Sequence, residues 1–193
     1  MPSGIEWTDA TREQAFGQWL AATSDAHGLL PHTVRLASAD ASFRRYFRVD
    51  RASGGSCIVM DAPPAQENCQ PFVQVAELMA QAGLRVPDVL AWDAPQGFML
   101  LSDLGNRTLL DVLDFDRPQD NLPHFKDATA ALTAWQTASR PGVLPAYDEA
   151  LLRRELQLFP DWYLGQHKQF ALTDTQANVL AKAFTSIVTR NLA

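Results

Sequence analysis

Residues 97–113 read G-F-M-L-L-S-D-L-G-N-R-T-L-L-D-V-L. Gly97 closes a turn signal, Asp93-Ala94-Pro95-Gln96-Gly97, and the apolar run Phe98-Met99-Leu100-Leu101 comes next as a short strand. The pattern breaks polar at Ser102-Asp103 and turns at Gly105-Asn106. Thr108 is placed to cap a helix carrying Leu109, Leu110, Val112 and Leu113. A strand that leaves a sheet, kinks and feeds a helix is a joint between two halves. Its last backbone N–H and C=O groups can lack a sheet partner, and a buried ligand with complementary donors and acceptors could satisfy them. The chain before this joint reads as strands with few helices, and the chain after it reads as helices. The fold class is therefore α+β.

Upstream, residues 8–24 predict a first helix, with Ala15, Phe16, Trp19 and Leu20 on one face, Thr8 or Asp9 as cap and His27-Gly28 as its end. Residues 33–36 form a short candidate strand. Residues 43–49 and Cys57-Ile58-Val59-Met60 form a hairpin around the turn at 50–55, and Asp61-Ala62-Pro63-Pro64 stops it. Residues 68–82 predict a helix with Phe72, Val75, Ala76 and Met79 on one face and Gly83 at its end. Residues 86–92 pair with 98–101.

Downstream, residues 122–138 carry Phe125, Ala128, Leu132 and Trp135 in helical register until Arg140-Pro141-Gly142 breaks them. Asp148 caps a helix that carries Leu151, Leu152, Leu156 and Phe159 and ends before Pro160. A last helix opens with the capping box Thr173 and Gln176, and its periodicity still holds at the end of the sequence.

The 193 residues are 47% hydrophobic and 20% charged, enough for a sizeable core. A net charge of −6 and a pI of about 5.1 disfavour a nucleic-acid partner. Cys57 and Cys69 are too few for a disulfide framework, and with the scattered histidines they make no metal-ligand spacing. Both read as reduced small hydrophobes of a cytoplasmic protein. Neither a signal peptide nor a membrane-spanning run is expected.

The chemistry-bearing stretches start with Ser38-Ala39-Asp40-Ala41-Ser42, between two strands. Small residues let backbone N–H groups approach an anion, serine hydroxyls donate, and Arg44 and Arg45 just beyond offer bidentate donors for phosphate oxygens. A polar hairpin tip beside a solvated arginine face is the plainer alternative. P-loop and dinucleotide-fingerprint glycine patterns are both missing.

The order S-A-D-A-S-F-R-R-Y-F-R-V, V-M-D-A-P-P, A-G-L-R-V-P-D-V-L and G-F-M-L-L-S-D-L-G resembles the N-terminal lobe of the aminoglycoside phosphotransferase-like kinases, which share the protein-kinase-like fold. More narrowly it resembles the bacterial anomeric sugar kinases that act on N-acetylmuramate and N-acetylglucosamine in cell-wall recycling. The run Y-D-E-A-L-L-R-R-E-L-Q-L-F-P-D-W-Y at 147–163 resembles that subgroup too. The resemblance implies an antiparallel-sheet N-lobe over 1–101, a hinge at 102–107 and part of a helical C-lobe over 108–193, with ATP, Mg²⁺ and an amino sugar as partners. Nucleic acid and membrane are not implied. It further implies that Ala39, Asp40, Ala41, Ser42, Phe43, Arg44 and Arg45 cover the ATP phosphates and that Val59 roofs the adenine. Leu101 would back the adenine pocket, and the hinge segment Ser102, Asp103 and Leu104 would meet the adenine edge through the Ser102 carbonyl and the Leu104 N–H.

Two departures qualify this. Kinases of this fold place a lysine on the third strand, paired with a helix glutamate, to hold the α- and β-phosphates. Here Met60 stands near the lysine position and Phe72 or Gln74 near the glutamate position. Losing both is coherent, because a lone buried charge is costly. Arg44 or Arg45 is then expected to supply the phosphate charge, and a small shift of register would make Glu67 or Glu77 the glutamate. Second, no H-x-D-x-x-x-x-N segment or metal aspartate is found. Asp114-Phe115-Asp116 reads as a solvated loop, and Arg190-Asn191 as the end of the last helix. The catalytic residues and Mg²⁺ ligands are expected beyond residue 193, so these 193 residues are expected to bind nucleotide without transferring phosphate. For the sugar the candidates are Arg153, Glu155, Trp162 and Tyr163, since a carboxylate and an aromatic plane at a helix end suit a pyranose. Core packing for Trp162 and surface charge for Arg153 are the plainer alternatives.

Overall fold

A computed structural model describes residues 5–39 and 43–192, with the side chains of Ser38 and Ala39 left aside. Asp40, Ala41 and Ser42, three residues of the expected phosphate loop, lie outside the described residues. The chain divides into two compact units, Met1–Ala138 and Ser139–Ala193.

In the first unit five strands form one antiparallel sheet: β1 (Arg35–Ala39), β2 (Arg45–Asp50), β3 (Ser56–Asp61), β4 (Val89–Asp93) and β5 (Phe98–Ser102), in the order β1-β2-β3-β5-β4. Alternation along each strand sends odd and even positions to opposite faces. One face carries Phe47, Val49, Cys57, Val59, Phe98 and Leu100 and buries them against Phe16 and Leu20 of helix α1 (Ala10–His27). The other carries Met60, Met99 and Leu101, packed with Ile58, Tyr46 and with Phe72 and Val73 of helix α2 (Gln70–Gln81). The sheet is thus a central layer between two helices.

Asp9 caps α1, its carboxylate accepting the N–H groups of Thr11 (2.8 Å) and Arg12 (3.3 Å), and Gly28 closes it at φ 62°. The β4–β5 turn needs Gly97: its φ is 69°, and a Cβ there would lie 2.0 Å from the Ala62 carbonyl oxygen. Beyond the sheet the expected helix after Thr108 is only one hydrogen-bonded turn, with the Asp111 carboxylate accepting from the Thr108 N–H and hydroxyl. Leu109 and Leu110 stay exposed, so no burial offsets the cost of helix nucleation. Asp114-Phe115-Asp116 is a loop, as expected. The Asp114 carboxylate accepts from Asp116 and Arg117, and Phe115 is exposed. Helix α3 (Leu122–Ala138) comes next.

In the second unit Asp148 caps helix α4 (Glu149–Leu158). The chain does not stop at Pro160 as expected but widens into a π-helical segment, Phe159–His167. Proline has no N–H for the regular helical bond, and a wider turn carries the chain past it. Helix α5 (Asp174–Leu192) opens with the expected capping box, Thr173 N–H to Gln176 Oε1 at 3.0 Å, and it absorbs Arg190 and Asn191. Among the described residues no helix is long and apolar enough to cross a membrane.

Candidate functional site

The strand that leaves the sheet is held at its exit by charge. The Asp103 carboxylate accepts from Arg48 Nε at 2.5 Å, Arg48 Nη2 at 3.0 Å, Ser56 Oγ at 2.6 Å and the Gly105 N–H at 2.9 Å. Arg48 also donates to the Gly105 carbonyl at 2.9 Å. Arg48 lies on β2 and Ser56 opens β3, so two strands converge on the segment after β5. Hydrogen bonding by Arg48, then by Ser56 and the Gly105 amide, lowers the Asp103 pKa to about 2 against the opposing effect of burial. The Asp103 side chain therefore fixes the course of the chain after β5 and is engaged by these four donors. Ser102 is tied to the other neighbour: its N–H donates to the Asp88 carbonyl at 2.9 Å, and its hydroxyl accepts the Asp88 N–H at 2.8 Å. Leu104 is about half exposed, and among the described residues its N–H has no hydrogen-bond partner. Leu101 is buried on the α2 face behind it.

Val59, expected as the roof of an adenine, points to the opposite face of the sheet from Leu101. It is fully buried on the α1 face, opposite Phe47 and Leu100, while Ile58 occupies the α2 face opposite Leu101. Met60, near the expected lysine position, is buried among Met99, Leu101 and Cys69. No cation stands beside it on β3.

The two arginines of the expected phosphate loop separate. Arg45 points to the α1 side. Its Nη2 and Nε donate to Asp61 Oδ2 at 2.5 and 3.0 Å, and its guanidinium lies 3.9 Å from the Trp7 ring centroid. Asp61 is fully buried, and Arg12 of α1 donates to its other oxygen at 2.5 and 2.9 Å. Arg45 is thus spent on a structural Arg–Asp–Arg cluster, a correction to its expected place at the phosphates. Arg44 turns the other way: its Nε donates to Glu67 Oε2 at 3.0 Å, and the Phe43 N–H donates to Glu67 Oε1 at 3.2 Å. Neither Arg12 nor Asp61 stands out in the sequence as part of a site, since they are 49 residues apart and carry no shared motif.

The sugar candidates lie in the second unit. Arg153 donates to Glu149 at 2.7 Å and Arg154 to Glu155 at 3.2 Å. Arg153 and Glu155 are two residues apart on α4, about 200° around the helix, so they face different ways. Trp162 is exposed, and Tyr163 stacks on Phe159 with centroids 5.5 Å apart. Among the described residues no hydrogen bond or ring contact joins Arg153 or Glu155 to Trp162 or Tyr163. No group of three or more potential metal ligands is found among the described residues. Cys57 and Cys69 are unpaired, and burial pushes both thiols up. A hollow of about 920 Å³ runs along α3 beside Ala82. The hydroxyls of Thr129, Thr133 and Thr137 there donate to helix carbonyls, and Lys126 is the charged residue of its lining.

A family model described as a phosphotransferase enzyme family (APH) matches residues 33–192. The chain belongs to that family. Relatives are similar along most of its length. An N-acetylmuramate/N-acetylglucosamine kinase of Pseudomonas aeruginosa is 51% identical over 167 residues, 83% of this chain and 48% of the relative. Proteins of the same name from Pseudomonas putida and Neisseria meningitidis serogroup B are 46% and 37% identical, over 87% and 83% of this chain and 45% and 48% of theirs. The chain spans about half the length of the curated relatives it matches.

Proposed function

We propose that the full-length protein is an ATP-dependent kinase of the anomeric hydroxyl of N-acetylmuramate or N-acetylglucosamine in cell-wall recycling, and that these residues carry its nucleotide lobe. The observation that carries the nucleotide part is the hinge. A buried strand leaves the sheet, a four-bond clamp at Asp103 fixes its path, and the next amide, Leu104 N–H, is unsatisfied among the described residues. A planar base with an acceptor on its edge answers that amide. Ile58, in place of Val59, would cover the ring, and Leu101 would back it. The name shared by the three relatives supports the sugar.

ATP would supply the transferred phosphoryl group and Mg²⁺ would neutralise its charge. Proton acceptor and metal ligands are assigned to the part of the relatives' length that these residues do not span. This chain's own residues orient the nucleotide: the hinge fixes the base, and Arg44, just ahead of β2, is left as the arginine for the phosphate end. Arg153, Glu155, Trp162 and Tyr163 stay with the sugar in this proposal, as separate contacts. A cytoplasmic location agrees with the ATP requirement and with two unpaired thiols.

The test is ³¹P NMR of the full-length gene product with ATP, Mg²⁺ and each sugar. A sugar 1-phosphate is expected. ATP binding with no product from either sugar would instead favour a catalytically silent nucleotide- or partner-binding module, a reading that Met60 near the lysine position supports.

A further inference from the structure

The π-helical segment brings together two residues that an α-helix would hold apart. In an α-helix a residue five positions on lies about 140° around the axis. Here the wide turn is closed by the Lys168 N–H, which donates to the Tyr163 carbonyl at 2.9 Å and returns Lys168 to the side of Tyr163. The Lys168 ammonium lies 5.6 Å from the Tyr163 ring centroid. That ring is the middle of a stack, with the Phe159 centroid at 5.5 Å and the His167 centroid at 5.6 Å. Its two ring neighbours make Tyr163 a fixed mount for the cation. It is still about half exposed, and among the described residues its hydroxyl has no hydrogen-bond partner.

Resting on the sugar-kinase reading above, we propose that Lys168 recognises the acidic side arm that sets N-acetylmuramate apart from N-acetylglucosamine, and that Tyr163 is its positioning residue. The two sugars differ by one group. N-acetylmuramate carries a lactic acid ether on its ring, and that carboxylate is ionised at neutral pH. A cation beside the bound ring is the group that senses the difference. The arginines of the preceding helix α4 are already joined to acids, Arg153 to Glu149 at 2.7 Å and Arg154 to Glu155 at 3.2 Å. Lys168 is exposed and has no carboxylate partner among the described residues. Asp161, the acid of the same segment, accepts from Gln157 at 2.8 Å. Lys168 is also the cation that touches one of the aromatic sugar candidates. A flexible ammonium suits a site that takes both sugars. It meets the carboxylate when one is present. When none is present it stays hydrated and rests on the tyrosine, so no buried charge is left without a partner.

The test measures kcat/KM of the full-length gene product for each sugar, with Tm recorded for every variant. Lys168→Gln is expected to lower the ratio of N-acetylmuramate to N-acetylglucosamine by about 5- to 30-fold. Lys168→Arg is expected to restore most of that ratio. Tyr163→Leu takes away the mount of the ammonium and should lower the ratio by about 2- to 5-fold. Tyr163→Phe keeps the ring, so the ratio should hold even as both sugars lose a contact to the hydroxyl. Lys182→Gln makes the same change of charge at an exposed position of α5 and is expected to leave the ratio alone. A ratio unmoved by Lys168→Gln, or moved equally by Lys182→Gln, overturns the assignment while leaving the sugar kinase standing. Phosphorylation of neither sugar by the unmodified protein overturns the sugar-kinase reading itself, and this assignment with it.

Discussion

Residues 5–102 and residues 104–192 treat their apolar side chains in opposite ways. In the first region the sheet is covered on both faces, and Phe16, Phe47, Val59, Phe98, Met99 and Leu100 are essentially without solvent contact. In the second, helices of good register present Phe125, Leu132, Phe159, Trp162 and Ile187 to water, and Val188 and Asn121 are the buried exceptions among the described residues. Amphipathic periodicity decides that a segment is a helix, whereas stability comes from what its apolar stripe meets. The first region contains its own counterpart layers and the second, among the described residues, does not.

Substitutions of one kind placed in both regions sharpen that contrast. Phe47→Ala should destabilise the chain by about 3–5 kcal/mol, whereas Phe125→Ala on α3 should change stability by less than about 0.5 kcal/mol. Equal losses in urea titrations would show that the helical region is as tightly packed as the sheet. Asp61→Asn should cost a similar 3–5 kcal/mol, roughly, because Arg12 and Arg45 are left facing each other without the shared carboxylate. A Tm within a degree of the parent would refute the cluster's structural role.

A smaller effect is expected at Asp103, where the first region gives way to the second, and it depends on pH. Asp103 titrates at about 2 in the folded chain and near its ordinary value of 3.8 when unfolded. The unfolded state therefore takes up a proton first, so the stabilisation is complete above about pH 5 and is lost as pH falls from there toward 2. Asp103→Asn should be less stable by about 1–3 kcal/mol at pH 7. In acid-unfolding curves that gap should close toward pH 2; a gap independent of pH would mean that the Asp103 charge is not what Arg48 holds.

The sequence is most legible where local chemistry marks the ends of an element. Leu122–Ala138 is bounded by a broken pattern at Arg140-Pro141-Gly142, and Thr173 with Gln176 marks the start of α5 in its own hydrogen bonds. The strand pair around Gly97 is legible because a turn there needs a residue tolerant of positive φ. The site is legible only in outline. Cys57-Ile58-Val59-Met60 is apolar on both faces, so no polar alternation reveals which residue looks which way, and the expected roof falls one residue away from the side chain on the α2 face. Arg44 and Arg45 are adjacent in sequence, yet they point to opposite faces and serve different acids, Glu67 and Asp61, that only the folded sheet brings near. The short helix after Thr108 fails for the opposite reason: its local pattern is adequate, but Leu109 and Leu110 find nothing to cover them.

The contact between Arg12 and Asp61 also bears on where the mechanical unit begins relative to the span matched by the family model. The family match starts at residue 33, after α1 has ended. Yet α1 lies over one whole face of the sheet, and its Arg12 supplies half of the hold on Asp61 while also donating to the Gln96 carbonyl of the β4–β5 turn. A boundary drawn at residue 33 would strip Phe47, Val59 and Phe98 of their cover and leave a buried acid with one partner instead of two. In this protein, the span that the family model recognises is shorter than the span that holds the sheet together.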